Sequence, residues 1–215
     1  PAFLQGVTYI VPARYFLERQ DWQGAAQLQP QPSAFPQADA ITHFARALGA
    51  ARSGDLAAAQ ADIDKLNSLR AALLKANQSY WAEQVEVQVL GAQAWAAQGS
   101  GDKLQSLKLM RAAADLEDSS EKHVAMENRL YPMRELLGDM LLEQGDAASA
   151  LSEYETSMKH APNRLRGFYG AARAATAVGD AKKTVEYTRS LAQLTRDADS
   201  DRAEIRDARL LITSR

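Results

Sequence analysis

The sequence LLEQGDAASALSEYETSMKHAPN, residues 141–163, decides the fold because it joins two helical patterns through one Gly-Asp pair. A helix often ends on a glycine in the left-handed backbone conformation, which strains other residues. An aspartate at the start of the next helix accepts hydrogen bonds from backbone N–H groups that lack a partner in the helix. Gly145 and Asp146 therefore predict a tight antiparallel helical hairpin. Pro162 ends the second helix, and Asn163 is predicted to cap the following one.

The same turn recurs along the chain. Aspartates occupy the equivalent position in five predicted turns: Asp21, Asp55, Asp102, Asp146 and Asp180. The preceding residue is glycine in four turns and Gln20 in the first, and the intervals between the aspartates are 34, 47, 44 and 34 residues. An interval of 34 is the period of a helix-turn-helix repeat. The spacing therefore predicts a series of helical hairpins.

The residues that flank the turns follow the helical period of three and four. Leu137, Gly138 and Leu141 share one face of the first helix in the fourth hairpin, and Ala150, Tyr154 and Ser157 share one face of the second. The fifth hairpin repeats this layout with Phe168, Ala171, Ala172 and Ala175, and then with Val185, Tyr187 and Leu191. Small residues on these faces allow close helix contact, and large ones fill the remaining space.

This arrangement resembles the tetratricopeptide repeat. The fourth hairpin matches the family pattern at Leu137, Gly138, Leu141, Gly145, Asp146, Ala150, Tyr154 and Pro162. It departs from the pattern at Arg134, which replaces an aromatic residue, and at Ser157, which replaces an alanine. Three segments, IVPARYFLERQDWQGAA, AITHFARALGAARSGDL and RELLGDMLLEQGDAASALSEYE, are also similar to an uncharacterised group of bacterial tetratricopeptide repeat proteins. That resemblance implies a bacterial origin and brings no activity with it.

The resemblance implies an all-α fold, an α-solenoid that forms a right-handed superhelix. We expect one domain of about five hairpins, with units at about 6–30, 37–75, 78–116, 130–162 and 163–196. The predicted helices are about 6–19, 21–29, 37–53, 55–75, 78–98, 102–116, 130–144, 146–160, 163–178, 180–196 and 201–213. The last helix is predicted to be a cap that begins with a capping box of Asp201 and Glu204. The polar insertion 117–128 is not expected to be a domain boundary, and the start at Pro1 suggests the C-terminal part of a longer protein.

Composition excludes several classes of function. The net charge is −2, so no overall positive field attracts nucleic acid, and no nucleic-acid partner is expected. The chain has no cysteine, which excludes disulfides and thiolate chemistry. No apolar run approaches the length that a membrane span requires, so we expect no membrane insertion. The prediction is a soluble bacterial protein, cytoplasmic or periplasmic.

The sequence contains little that indicates catalysis. The three histidines, His43, His123 and His160, lack the spacing of a metal site, and no phosphate-binding loop is present. Glu121, His123 and Glu127 come together in the polar insertion, which leaves a hydrolase or metal-dependent activity as one alternative and a solvated loop as the other. We predict no enzyme, no cofactor and no metal.

The resemblance implies that the first helix of each hairpin lines a concave groove. The equivalent positions are Arg14, Arg52, Trp95, Glu135, Asp139, Glu143, Arg166, Tyr169 and Arg173. Their mixed charge suits an extended or helical peptide, so we expect a scaffold that binds a protein or peptide; a solvated face is the alternative. A structural or self-associating segment of a longer solenoid, including a homodimer, is a further alternative. Tyr80 and Trp81 are predicted to fill the core between repeats.

Overall fold

The computed structural model describes residues 2–120, 130–200 and 202–213, and this part of the chain is all-helical. Its eleven helices are α1 (Ala2–Arg19), α2 (Trp22–Ala26), α3 (Pro36–Ser53), α4 (Leu56–Lys75), α5 (Ser79–Gly99), α6 (Lys103–Ser119), α7 (Met133–Glu143), α8 (Ala147–His160), α9 (Leu165–Val178), α10 (Ala181–Leu194) and α11 (Ala203–Thr213). The all-α class is confirmed. Each predicted helix is present, and the ends differ by a few residues at most, as where α6 continues into the predicted polar insertion.

The five Gly-Asp-type turns share one geometry, as the sequence predicts. Each aspartate side chain caps its helix by accepting a hydrogen bond of 2.8–3.1 Å from the backbone N–H three residues later. Each aspartate N–H also donates to the carbonyl five residues earlier, the bond that closes a Schellman motif. The residue before the aspartate has a positive φ in every turn, and Gln20 adopts 52° where the other turns have glycine. One dipeptide thus ends a helix and starts the next.

The turn between α8 and α9 differs from the prediction. Asn163 does not cap α9; it adopts the left-handed conformation with φ of 59°, which asparagine tolerates better than most residues. Arg164 is the N-cap residue, and its side chain makes no capping hydrogen bond. The expected capping box of α11 cannot be compared, because Asp201 lies outside the described residues.

The chain divides into two compact units, Pro1–Met133 and Arg134–Arg215. The division follows the polar insertion 117–128, which the sequence analysis did not treat as a boundary. In the first unit α3 is central and packs against α1, α2, α4 and α5. Gly49 permits its contact with α2, since a Cβ atom there would lie 2.5 Å from the carbonyl oxygen of Trp22. Phe44 and Leu48 of α3 are fully buried in this core.

The second unit contains α8 to α11 and all of α7 except its first residue, Met133. Tyr154 of α8 is 1% exposed and occupies its centre. The ring lies against Gly138 of α7 and Gly170 of α9, where neither residue has a side chain to obstruct it. The predicted apolar faces of this unit are buried, including Leu137, Leu141, Ala150, Ala171, Ala175 and Leu191.

Candidate functional site

The nine predicted groove residues all lie on the first helices of their hairpins. Three belong to the first unit, namely Arg14 on α1, Arg52 on α3 and Trp95 on α5. Six belong to the second unit, namely Glu135, Asp139 and Glu143 on α7 and Arg166, Tyr169 and Arg173 on α9. Their surroundings differ greatly, and the two units are therefore taken in turn.

In the first unit, Arg52 and Trp95 meet in an aromatic–cation stack. The Arg52 guanidinium carbon lies 3.9 Å from the ring centre of Trp95 and 4.4 Å from that of Trp22. Trp95 is only 2% exposed, so Arg52 and the core occupy its surface. Such contacts are worth about 0.5–2 kcal/mol each. The stack holds the end of α3 between α2 and α5. The third predicted groove residue of this unit, Arg14 on α1, is half-buried.

In the second unit, three predicted groove residues are buried in ion pairs. Arg164 donates to Glu135 at 2.7 Å, and Arg166 lies 3.4 Å from Asp139 and 3.1 Å from Glu204. Glu135, Asp139 and Arg166 are 1%, 5% and 2% exposed. Their side chains are occupied inside the unit, where they join α7 to α9 and α11. The sequence placed them on an open groove or a solvated face, because charged residues are seldom buried unless they are paired.

The same network sets the ionisation of Glu204. Burial alone would raise its pKa, but the hydrogen bond from Arg202 and the nearby charge of Arg166 outweigh burial and lower the pKa below its ordinary value. Arg202 lies 3.0 Å from Glu204. Tyr154 adds a hydrogen bond of 2.6 Å from its hydroxyl to Asp139, which links the charges to the aromatic core.

The remaining groove residues of α9 form a more accessible cluster. Arg173 is exposed, and its guanidinium carbon lies 5.7 Å from the ring centre of Tyr169. The Tyr169 hydroxyl donates to Asp207 of α11 at 2.9 Å. Burial and this carboxylate raise the pKa of Tyr169. We call Tyr169, Arg173 and Asp207 the Tyr169 cluster; sequence reasoning missed Asp207, whose position in a charged terminal helix carries no motif. Glu143, on α7, is also exposed.

The first unit also contains a cleft between α3 and α5, with a volume of about 100 Å³. The residues that line it include Gln37, Ile41, Phe44, Tyr80, Trp81, Gln84, Val85, Gln88, Glu117, Tyr131 and Met133. Tyr80 and Trp81 pack edge to face with ring centres 4.9 Å apart. They are half-buried and border this cleft, whereas the sequence assigned them to the core. The cleft glutamines were also missed, because isolated glutamines on a helix have no distinguishing pattern.

The part of the chain that the structure describes contains no candidate metal site. No group of three or more histidine, aspartate or glutamate residues within those ranges is arranged to hold a metal ion. Glu121, His123 and Glu127, the alternative catalytic cluster, lie outside the described residues. The presence of His43 is explained by a structural contact in the core, because its Nδ1 lies 2.6 Å from Oδ1 of Asp62. None of the described helices has both the length and the apolar character to cross a membrane.

Comparison with known proteins assigns no family. Neither the protein-family models nor the curated proteins gave a match to this sequence. The chain's own turns, faces and clusters therefore provide the evidence for its function.

Proposed function

We propose that this protein is a tetratricopeptide-like α-solenoid, a right-handed superhelix of about five hairpins with α11 as its cap. In this proposal it has no catalytic activity, and it binds a peptide or partner protein through the first helices of its hairpins. The five equivalent turns support the repeat, because each pairs a positive-φ residue with an aspartate cap. Repeats of this kind bury their apolar faces only against neighbours, which leaves a ridged surface available for binding.

The Tyr169 cluster is the observation that carries the binding proposal. Tyrosine and arginine are enriched among the residues that dominate binding energy at protein interfaces. Here the Tyr169 ring is held by its hydrogen bond to Asp207, and Arg173 lies beside it with an exposed side chain. A rigid aromatic ring next to an arginine loses little conformational entropy when a partner binds. The cluster therefore suits a peptide that carries an acidic residue beside an apolar one.

The double variant Tyr169→Ala/Arg173→Glu should capture at least about tenfold less partner than the parent chain does. The experiment immobilises the parent chain and the double variant as baits and quantifies the proteins each retains from a bacterial lysate. Arg166 is left unchanged because it is 2% exposed, and a charge reversal there would damage the fold.

Lys182→Glu is the matched control for charge, since it makes the same change on the exposed surface of α10. The control should retain the partner, and circular dichroism should show all three baits equally helical. A partner that the double variant captures as well as the parent does would rule out the Tyr169 cluster as the binding surface. So would a partner that Lys182→Glu loses equally.

Self-association is a second candidate, which a pair of exposed apolar residues favours. Val11 and Tyr15 are 60% and 56% exposed, and their spacing of four places them on one face of α1. A second copy of the chain could cover this face. Light scattering over a range of concentrations should then show a mass rising from monomer to dimer, and Val11→Glu should hold it at monomer. A monomer mass at every concentration would exclude this candidate.

A further inference from the structure

Two glutamine side chains in the first unit bury an oxygen that has no hydrogen-bond partner among the described residues. They are Gln37 of α3 and Gln88 of α5, and both line the cleft between these helices. Gln84, in the same cleft, differs because its Nε2 donates to Ser120 at 2.6 Å. A buried acceptor without a donor destabilises the folded state. The terminal amide torsion of glutamine is soft, so a small rotation can turn either oxygen towards a ligand in the cleft.

The size and lining of the cleft limit what can enter. Its volume of about 100 Å³ is smaller than an apolar cavity of about 150 Å³ that accepts benzene. The walls are formed largely by Ile41, Phe44, Trp81 and Val85. A branched aliphatic side chain fits this space, whereas a phenol or indole ring does not.

The described lining of the cleft suits an uncharged ligand better than an anionic one. Among the described residues that line it, none is a lysine, arginine or histidine. The described lining includes one acidic side chain, that of Glu117, which is 4% exposed and accepts a hydrogen bond of 2.9 Å from the backbone N–H of Met133. A carboxylate or phosphate has no N–H group to donate to the oxygens of Gln37 and Gln88. The complementary ligand is uncharged and brings N–H donors.

A shallow depression of about 460 Å³ continues from the cleft across the starts of α3 and α5. It shares Gln37, Tyr80 and Trp81 with the cleft, and Asn77 adds a polar side chain. When a peptide side chain occupies the cleft, the depression has room for the peptide backbone that carries it. This continuity favours a peptide over an isolated small molecule.

We propose that the cleft binds one small aliphatic side chain from an uncharged, internal peptide segment, whose adjacent N–H groups donate to the side-chain oxygens of Gln37 and Gln88. The site deepens the proposed scaffold function by naming a ligand class. It stands on different residues from the Tyr169 cluster, which belongs to the second unit. Either proposal can therefore fail without the other.

Titration with N-acetyl-L-leucine N′-methylamide tests the site, because this compound carries one isobutyl group and two N–H donors. In nuclear magnetic resonance spectra of the whole chain, the indole signal of Trp81 and the side-chain amide signals of Gln37 and Gln88 should shift and saturate. Gln88→Leu should weaken binding about tenfold, since it removes one acceptor and keeps the side-chain volume. Gln193→Leu, on the exposed surface of α10, should bind as the parent does.

Two related compounds test the ligand class. N-acetylglycine N′-methylamide lacks the side chain, and N-acetyl-L-leucine carries a carboxylate; both should bind at least tenfold more weakly than the leucine amide. The proposal is overturned if Trp81 does not respond saturably to the leucine amide, or if either related compound binds equally well.

Stability separates a binding role of the glutamine from a structural one. Gln88→Leu should raise the midpoint of thermal unfolding, because it removes a buried acceptor that lacks a donor in the parent. Gln37→Leu is the second variant if the first does not fold, and the same two results are expected of it. A lowered midpoint with unchanged leucine-amide binding would assign the glutamines to the fold and overturn the proposal.

Discussion

Replacing Gly170 with alanine is expected to lower the free energy of unfolding by about 2–3 kcal/mol. An added Cβ atom would lie 2.2 Å from Cε1 and 2.3 Å from Cζ of Tyr154, well inside van der Waals contact. The ring cannot retreat, because Gly138 bounds its other side and its hydroxyl is hydrogen-bonded to Asp139. Alanine stabilises a helix by about 1 kcal/mol relative to glycine, which offsets only part of the overlap.

Gly167→Ala provides the control because it lies on the same helix and gains the same helix propensity. Its Cβ atom would lie 3.3 Å from Cγ of Met158, a flexible side chain that can shift slightly. Urea unfolding followed by circular dichroism should show this variant within about 0.5 kcal/mol of the parent. Tyr154→Leu should cost less in the Gly170→Ala background than in the parent, because the overlap is then already relieved. Equal losses at Gly167 and Gly170 would contradict this account of the core.

The helices and turns could be predicted from sequence because their causes are local. An aspartate cap and the preceding positive-φ residue act within five residues of the turn, as the hydrogen bonds of Asp146 show. Asn163 shows the limit of local reasoning. Asparagine suits both an N-cap and the left-handed conformation, and the path between α8 and α9 selects the second.

The buried charges could not be predicted from sequence. Glu135 and Asp139 stand four residues apart on α7, a spacing equally typical of an exposed acidic stripe. Their environment is decided by Arg164 and Arg166 of the next hairpin, and then by Glu204 of α11. Pairing over such distances leaves no signal in a single sequence. The predicted repeat pattern placed these residues on helices, but it did not indicate which of their side chains are buried.

The cleft between α3 and α5 was missed for a different reason. Gln37 and Gln88 lie in separate hairpins, and neither belongs to a recognisable motif. Their common feature is a buried oxygen without a donor in the described part of the chain, which the sequence alone cannot show. The adjacent aromatic residues Tyr80 and Trp81 were noticed in the sequence, and they were predicted to fill the core because aromatic residues are usually buried. That prediction described only part of their environment.

Arg166→Ala is expected to lower the free energy of unfolding by about 3–5 kcal/mol, the cost of removing one partner from a buried ion pair. The variant leaves Asp139 and Glu204, which are 5% and 8% exposed, without the cation between them. Arg166→Met keeps most of the side-chain volume, so comparison with alanine separates lost packing from lost charge. Most of the loss in the free energy of unfolding should persist in the Arg166→Met variant.

Arg173→Ala is the matched control, because the same residue type stands on the exposed side of the same helix. Its free energy of unfolding should stay within about 0.5 kcal/mol of the parent value. Urea unfolding at neutral pH measures all three variants. An Arg166→Met variant as stable as the parent would mean that the ion pairs do not support the second unit.

The dependence of stability on pH tests the same network. Glu204 has a lowered pKa in the folded chain, so its contribution to stability is complete above its ordinary value of 4.5 and is lost as the pH falls through the folded value. Urea midpoints measured from pH 7 to pH 3 should therefore fall less steeply in Glu204→Gln than in the parent. Arg166→Met should give an intermediate slope, since Arg202 still holds the carboxylate at 3.0 Å. Superimposable slopes for the parent and Glu204→Gln would mean that this carboxylate does not link folding to protonation.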